Sequence, residues 1–403
     1  MENYVLDWLG LLFRWLHLIT GVAWIGASFY FMWLDNSLEE PPPWKRNKGI
    51  KGDLWAIHGG GIYEVAKYRL APEAMPATLH WFKWEAYSTW LTGMVLLTLI
   101  YYLGAESYLI DPRVAELSPA LAVGLGLTFI VGSYVAYELL CASPLARHPL
   151  WIAAVLAMAA AFLAWWLSRV FSGRGAYIHF GAIIGTLMVG NVFRVIMPAQ
   201  RSLVSAIARG EAPDPAPAVK AKLHSTHNTY LTLPLLFIMI SSHYPMTYAH
   251  PRNWLVLLAL VVITAVARHY FVLRHRQVNR PWIVAGCGLA TLLLAIAIAP
   301  AHLRSAGTAD TATPEDALAD EGWHIVRTHC TGCHARAPTD ESFTRAPAGV
   351  MLDTPADVRQ WSDRIRSQAI DTHNMPFMNS TGMTATERER LAQWLAAGAP
   401  APG

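Results

Sequence analysis

Long apolar stretches alternate with polar segments through the first 300 residues of the chain, whereas the remaining residues are more polar. A helix that crosses a membrane needs about 20 consecutive apolar residues. Eight stretches reach or approach that length, at residues 8–34, 79–103, 118–141, 150–168, 176–197, 229–244, 253–273 and 281–300. The pattern therefore predicts an all-α chain whose first part is a polytopic membrane domain of about eight transmembrane helices.

Lysine and arginine in the polar segments between these stretches predict the orientation of the domain. The two longest segments, residues 35–78 and 198–228, are predicted to be loops. If the N-terminus lies outside, the inner loops carry fourteen Lys and Arg residues and the outer loops carry four. Cytoplasmic loops are enriched in these residues. We therefore expect a multi-pass protein of the bacterial inner membrane, surrounded by lipid, with its N-terminus and its C-terminal tail in the periplasm.

The balance of charge changes near residue 300. Residues 1–300 hold 22 basic and 15 acidic side chains, whereas residues 301–403 hold nine basic and thirteen acidic ones. This change divides the chain into a membrane domain (1–302), a linker (303–314) and a small acidic domain (315–403). No basic patch with interleaved aromatic residues is present, so a nucleic-acid partner is not expected. Four cysteines are too few to hold a chain of this length together as a disulfide scaffold.

The acidic domain contains Cys330-Thr-Gly-Cys333-His334, the C-x-x-C-H motif that attaches a c-type haem. Cys330 and Cys333 would form the two thioethers, and His334 would supply an axial nitrogen to the iron. Met375 is the predicted sixth ligand, because a thioether raises the reduction potential of the iron. Met378 and Met383 are the alternatives.

Two helical segments surround this motif. Residues 316–328 are amphipathic and precede it, and a capping box from Thr384 to Glu387 begins an apolar-faced helix near the end of the chain. This order of elements is typical of a small α-helical domain of the class I cytochrome c type. We expect one covalent haem c here.

Polar residues within membrane spans are costly and often belong to functional sites. One group lies near the predicted inner ends of the spans and contains candidate substrate-binding residues (Lys83, Asn191, Arg194, Asn228, Thr232) and candidate bases (Glu85, Glu138, His227). Helical spacing places Asn191 and Arg194 on one face, and likewise Asn228 and Thr232. The set suits a flat anion with hydrogen-bonding edges. The alternative is that the cations extend to the inner interface and pair with the carboxylates.

Three histidines lie in the outer halves of three predicted spans, on the side where the haem c is expected. These are His17, His179 and His243. Neutral imidazole is a common ligand of haem iron. The three residues are therefore possible ligands of a second, non-covalent haem b, and the alternative is that they are interfacial histidines with local hydrogen bonds.

Several segments resemble the membrane-integral urate oxidases (urate hydroxylases) of bacteria, which join an N-terminal multi-span domain to a C-terminal cytochrome c. The segments are RWLH at 14–17, WIG at 24–26, HGGGIY at 58–63, LHWFKWE at 79–85, GNVFR at 190–194, HNTY at 227–230 and SHYP at 242–245. The resemblance covers nearly the whole chain. It implies oxidation of urate to 5-hydroxyisourate in purine degradation. Electrons would pass to the haem c, and from there to a periplasmic cytochrome or a cytochrome c oxidase, without forming hydrogen peroxide.

Two other functions remain open at this point. Another cytochrome-linked membrane dehydrogenase, for example one that oxidises a quinol, would use the same kind of domains. A purine or anion transporter with a regulatory cytochrome tail would also place charged residues within membrane spans.

Overall fold

The structure is a computed structural model that describes residues 2–73, 75–299, 314–340 and 343–401. The described residues are predominantly helical, and their strands form a single two-stranded sheet. The all-α fold class is therefore confirmed. The predicted linker at 303–314 lies outside the described residues except for its last position.

The long helices of the first domain follow the predicted apolar stretches, with short elements between them. The helices are α1 (Glu2–Ser37), α2 (Pro43–Asn47), α3 (Trp84–Leu96), α4 (Ala105–Tyr108), α5 (Pro119–Ala142), α6 (Pro149–Val170), α7 (Gly173–Gly190), α8 (Met197–Ala208), α9 (Pro215–Ser241), α10 (Pro245–Tyr248), α11 (Asn253–His275) and α12 (Trp282–Ala297). Two π-helical turns, Leu97–Tyr102 and Asn191–Ile196, extend α3 and join α7 to α8. Each of the eight predicted stretches is thus largely helical.

Five helices of the described part are both long and apolar enough to cross a membrane. They are Trp8–Ser37, Pro119–Ala142, Pro149–Val170, Gly173–Ala208 and Asn253–Arg274. The helix Trp282–Ala297 is apolar but shorter. These helices are consistent with a membrane-spanning domain, and the count of eight crossings stays a prediction.

The segment 198–228 is not the loop that its composition predicts. Helix α8 continues the preceding span to Ala208, and α9 begins at Pro215. The carboxylate of Asp214 accepts a hydrogen bond from the Ala216 backbone N–H at 2.9 Å, which caps the first turn of α9. Proline at the first helical position loses no hydrogen bond, so an alanine- and proline-rich run starts a helix here.

The segment 35–78 holds a β-hairpin that the apolar pattern does not reveal. Strands β1 (Ile50–His58) and β2 (Gly61–Tyr68) pair antiparallel through a turn at Gly59 and Gly60, both of which have positive φ. Beneath the hairpin, the buried Lys45 ammonium pairs with Asp53 and Glu64. The hydrogen bonds that Lys45 donates to Asp53 and, with a smaller effect, to Glu64 raise its pKa.

The C-terminal domain has its own apolar core. Its helices are α13 (Pro314–His329), α14 (Pro355–Gln360), α15 (Ser362–Ile365) and α16 (Ala385–Ala396). Helices α13 and α16 pack so closely that a Cβ on Gly322 would lie 2.2 Å from the Trp394 ring. Arg345 of this domain forms an exposed ion pair with Glu106 of α4, at 2.8 Å.

Candidate active site

A chain of hydrogen bonds joins three helices near the predicted inner ends of the spans. Asn191 Nδ2 donates to the Tyr137 hydroxyl at 3.1 Å and to Asn228 Oδ1 at 2.7 Å. The Tyr137 hydroxyl also contacts His227 Nδ1 at 2.8 Å. Asn191 is fully buried and Tyr137 is nearly so. Residues of α5, of the π-helical turn and of α9 thus form one rigid polar cluster within the membrane domain.

A carboxylate and a second histidine lie beside this cluster. Glu138 Oε1 and His224 Nε2 are 3.6 Å apart, and His224 is fully buried. His224 Nδ1 contacts the Lys220 carbonyl at 2.9 Å, which directs Nε2 towards Glu138. The Tyr137 ring is 5.8 Å from the His224 ring and 5.7 Å from the His227 ring, measured between centroids.

Several buried polar atoms of this region have no hydrogen-bond partner among the described residues. They are Glu138 Oε1, His224 Nε2, Asn191 Oδ1 and the Tyr134 hydroxyl. A buried polar atom without a partner costs about 1–3 kcal/mol, so native proteins rarely leave several together without a ligand or water. The oxygens of Glu138 and Asn191 are acceptors, and so is His224 Nε2, because Nδ1 of that ring donates to the Lys220 carbonyl. The Tyr134 hydroxyl can donate or accept.

Two local features allow the helices that carry the cluster to pack closely against one another. A Cβ on Gly190 would lie 2.3 Å from the Tyr134 ring, so glycine is required where α7 meets α5. The π-helical turn Asn191–Ile196 follows immediately. Such turns shift the register of the side chains and occur frequently at functional sites.

The structure brings together some of the predicted site residues and separates others. Glu138, Asn191, His227 and Asn228 belong to the cluster. Arg194 is exposed and interacts electrostatically with the Tyr134 hydroxyl. These five residues form the candidate active site together with the side chains that the sequence did not single out.

The other predicted residues have different partners. Thr232 is buried, and its hydroxyl donates to the Asn228 carbonyl within α9. Lys83 lies over the Trp84 ring at 5.5 Å. Glu85 is in the first turn of α3, and its Oε2 is buried without a partner among the described residues.

Sequence reasoning missed Tyr134, Tyr137 and His224. A spacing signal for them exists, since Tyr134, Tyr137 and Glu138 follow the i, i+3, i+4 pattern of one helix face. His224 stands in the same relation to His227 and Asn228. Because tyrosine is common at membrane interfaces, its side chain alone did not mark a site.

A cavity of about 540 Å³ lies next to the cluster, between α1, α3, α7 and α9. Asn228 and Thr232 line it on one side. His17 and His243 line it as well, so one cavity joins the inner polar residues to two of the outer histidines. Most of the other lining side chains are apolar. Cavities of this size and character bind small molecules or cofactors.

His179 does not face this cavity. It is fully buried on α7, where Nδ1 contacts the Gly175 carbonyl at 2.8 Å and Nε2 contacts the Tyr102 hydroxyl at 3.3 Å. Its ring also stacks on Phe171, with the centroids 4.7 Å apart. Both ring nitrogens therefore have protein partners, and the environment is that of a core histidine.

The C-x-x-C-H motif lies at the end of α13, in the C-terminal domain. The His334 backbone N–H donates to the Cys330 carbonyl at 2.8 Å, which keeps the motif in a tight turn. Burial raises the pKa of both thiols, Cys330 and Cys333, to about 12. The thiols are therefore neutral at physiological pH and have no thiolate character of the kind that marks a reactive pair.

His334 has the geometry of an axial ligand. Its Nδ1 contacts the Val350 carbonyl at 3.0 Å, and because a carbonyl only accepts, Nδ1 donates and Nε2 keeps a free lone pair. Burial lowers the pKa of His334, which favours the neutral imidazole that metals require. No group of three or more His, Cys, Asp or Glu in the described ranges could hold a metal ion directly. A haem needs only axial ligands from the protein, so the residues present fit that group.

Met375 and Met383 differ in their surroundings. Met375 is half-buried and packs at the edge of the domain core, and Arg388 Nη1 donates to its carbonyl at 2.8 Å. Met383 is 3% exposed and belongs to the core itself. The less enclosed thioether of Met375 is the better placed of the two to meet a ligand at the core surface. The side chain of Met378 lies outside the described residues.

The last helix is anchored by a carboxylate that also binds a histidine. Glu387 accepts hydrogen bonds from the Thr384 backbone N–H and hydroxyl, both at 2.7 Å, and from His329 at 3.1 Å. Burial raises the pKa of Glu387, but these hydrogen bonds outweigh it, so the pKa is lower than its ordinary value. The predicted capping box is thus confirmed.

Comparison with known proteins identifies the family of the membrane domain. No curated protein and no solved structure matches the chain. Residues 3–299 match the family model described as "Urate oxidase N-terminal", which covers more than half of the chain and all of the candidate active site. The chain therefore belongs to the urate oxidase N-terminal family.

Proposed function

We propose that the chain oxidises urate to 5-hydroxyisourate and passes the electrons to a haem c in its own C-terminal domain. The family match supports a urate-related oxidation. The observation that carries the proposal is the set of unpartnered buried polar atoms on Glu138, Asn191 and His224. Urate is a planar anion whose edges carry N–H donors beside carbonyl acceptors, and these three acceptor atoms complement the N–H groups.

The reaction balances when water supplies the added oxygen. Urate and one water give 5-hydroxyisourate, two protons and two electrons, with a new C–O bond at C5. A group that accepts protons must therefore stand beside the substrate, and an electron acceptor must be within reach. The carboxylate of Glu138, next to His224, is the proton acceptor that we assign.

The remaining side chains of the cluster orient the substrate. Asn191 and Asn228 hold each other, so the free Oδ1 of Asn191 has a fixed direction and accepts a hydrogen bond without loss of rotamer freedom. Tyr137 and His227 pair by a hydrogen bond and close the site on one side. Arg194 supplies the positive charge that an anionic substrate requires.

Cys330 and Cys333 would hold the haem c, with His334 and Met375 as axial ligands. When bound, this haem supplies a one-electron acceptor, so each urate requires two successive electron transfers. Two hydrogen bonds orient these residues. His334 Nδ1 donates to the Val350 carbonyl, and Arg388 donates to the Met375 carbonyl. The haem domain would lie in the periplasm, where a soluble cytochrome or a cytochrome c oxidase takes the electrons.

Anaerobic mixing of the purified holoprotein with urate tests this function. Urate is expected to reduce the haem c, and xanthine, uracil and a short-chain quinol at the same concentration are not. With oxygen and an electron acceptor present, the reaction is expected to form 5-hydroxyisourate without hydrogen peroxide. Reduction by the quinol alone would support the dehydrogenase alternative, and urate uptake into vesicles without haem reduction would support the transporter. Either result would overturn the proposal.

A further inference from the structure

The cavity between α1, α3, α7 and α9 has features that the oxidation of urate does not use. It is lined mainly by apolar side chains and has a volume of about 540 Å³. Its polar residues at the predicted outer side are Arg14, His17, Arg174 and His243. Imidazoles bind metals and guanidinium groups bind anions. An apolar space with two of each therefore suits a large ligand that carries both a metal and negative charges.

His17 is held in the manner of a metal ligand. Its Nδ1 contacts the Thr89 carbonyl at 3.0 Å and the Thr92 hydroxyl oxygen at 2.9 Å. The carbonyl only accepts, so Nδ1 carries the proton and Nε2 keeps a free lone pair. Haem-ligating and other metal-ligating histidines are oriented by the same kind of hydrogen bond. A Cβ on Gly93 would lie 3.0 Å from the His17 ring, so this glycine makes room for the imidazole.

The cavity has space on the α7 side. Gly185 lines it, and a Cβ added to Gly185 would meet no atom within 4 Å. Trp24 and Met188 contribute apolar wall on either side. The space is therefore open between helices that elsewhere pack tightly, such as α7 and α9 at Gly181, where a Cβ would lie 2.6 Å from Ile238.

Two arginines stand at the same side without a carboxylate partner among the described side chains. Arg174 lies over the Tyr108 ring at 4.9 Å, and its Nε is buried without a hydrogen bond within the described part. Arg14 and Arg174 both interact electrostatically with Tyr101, which places the two charges in one neighbourhood. Arg174 is half-buried, Arg14 is exposed, and Arg174 also interacts with the Tyr101 hydroxyl. Guanidinium groups bind carboxylates in bidentate fashion, so these two side chains suit an anionic ligand.

We propose that this cavity binds one non-covalent haem b. His17 Nε2 is an axial ligand, His243 is the second imidazole, and Arg14 with Arg174 pairs with the two propionates. The apolar helix faces contact the porphyrin. His179 has no part in the site, because both of its nitrogens are bonded elsewhere. The proposal does not depend on urate as the substrate, since it concerns a cofactor and not the reaction.

A quinone is the other apolar ligand that would fit such a space. A quinone carries no negative charge and needs one hydrogen-bond donor at each carbonyl. Arg14 and Arg174 can donate to quinone carbonyls, but a neutral ring leaves their positive charges uncompensated and gives the lone pair of His17 Nε2 no partner. The observed groups therefore favour the haem.

Extraction of the purified full-length holoprotein with acidified acetone separates the two kinds of haem. The covalent haem c stays with the protein, and one haem b per chain is expected in the extract. In His17→Ala the extractable haem is expected to fall at least about tenfold, as for other lost metal ligands, while the covalent haem stays at one per chain. That covalent haem is the internal control for folding and membrane insertion.

Further variants distinguish a role of His17 as an iron ligand from a purely structural role. His17→Gly with added imidazole is expected to regain the low-spin spectrum, which a merely structural histidine would not do. His148→Ala, at an exposed histidine that does not line the cavity, is expected to keep the extractable haem. Arg14→Gln and Arg174→Gln are expected to shift the potential of the extractable haem downward, because each removes a positive charge near the iron.

The proposal fails if the wild-type protein carries full haem c but no extractable haem, or if quinone appears in the extract instead. Retention of a low-spin, bis-imidazole spectrum in His243→Ala would overturn the assignment of the second ligand. Urate-driven reduction of haem c is measured separately on the same samples, so failure of the haem b site and failure of the urate reaction are distinguishable.

Discussion

Replacement of Glu138 by glutamine tests whether this carboxylate is the base of the proposed reaction. The substitution keeps the size of the side chain and its ability to accept one hydrogen bond, but it removes the proton-accepting oxygen. A positioned general base contributes about 10²–10⁴-fold to a rate. A carboxylate that only contacts His224 at 3.6 Å, beyond hydrogen-bond distance, contributes no more than one hydrogen bond would, about 0.5–1.5 kcal/mol, which is roughly two- to tenfold.

The two roles therefore predict different ranges, and stopped-flow reduction of haem c by urate separates them. We expect Glu138→Gln to lower the limiting rate at least about a hundredfold, with little change in the urate concentration that gives half-saturation. Glu116→Gln, at an exposed carboxylate outside the polar cluster, is the matched control and is expected to leave the limiting rate within about twofold. A loss of less than tenfold in Glu138→Gln, with haem c content unchanged, would refute the assignment of the base.

Three further predictions concern the haem domain and the helix contact at the site. Met375→Leu is expected to keep the covalent haem but lower its reduction potential, whereas Met383→Leu leaves the potential unchanged, as redox titration would show. Because its pKa is lowered in the folded state, Glu387 stabilises the domain above its unfolded pKa of about 4.3 and loses this effect as the pH falls further. The thermal midpoint is therefore expected to fall more steeply in acid for the wild type than for Glu387→Gln. Gly190→Ala forces a Cβ to within 2.3 Å of a tyrosine ring of α5, so we expect about 1–3 kcal/mol of destabilisation and loss of urate turnover, measured by thermal unfolding and haem reduction.

The helices of the membrane domain were predictable because lipid requires long apolar runs, which are visible in any window of the sequence. The structure of the polar segments between these helices was less predictable. The composition of residues 198–228 predicts a loop, yet a helix begins there with Asp214 as its N-cap and Pro215 as its first residue. Propensity is a weak guide when one cap and one proline at a favourable position decide the start.

The candidate site was predictable in part. Its residues on separate helices, such as Glu138 and Asn191, were found because each is a costly polar group in an apolar stretch. His224 was not, because it lies in a polar segment where a histidine is unremarkable. Its burial depends on the packing of α9 against α5, which no local pattern encodes. His179 fits the sequence pattern of a ligand, whereas the fold gives both of its ring nitrogens protein contacts, which favours the alternative of a histidine with local hydrogen bonds.

Helix α9 is the element that joins the two proposed sites. His224 and His227 face the polar cluster, whereas Asn228 both accepts the hydrogen bond from Asn191 and lines the cavity. The same helix then leads to His243 at the far side of that cavity. A substrate at the inner cluster and a haem c at the outer surface would otherwise be separated by much of the membrane thickness. The proposed cofactor in the cavity would divide this distance, and one continuous element would then position both the proposed substrate site and the intermediate carrier.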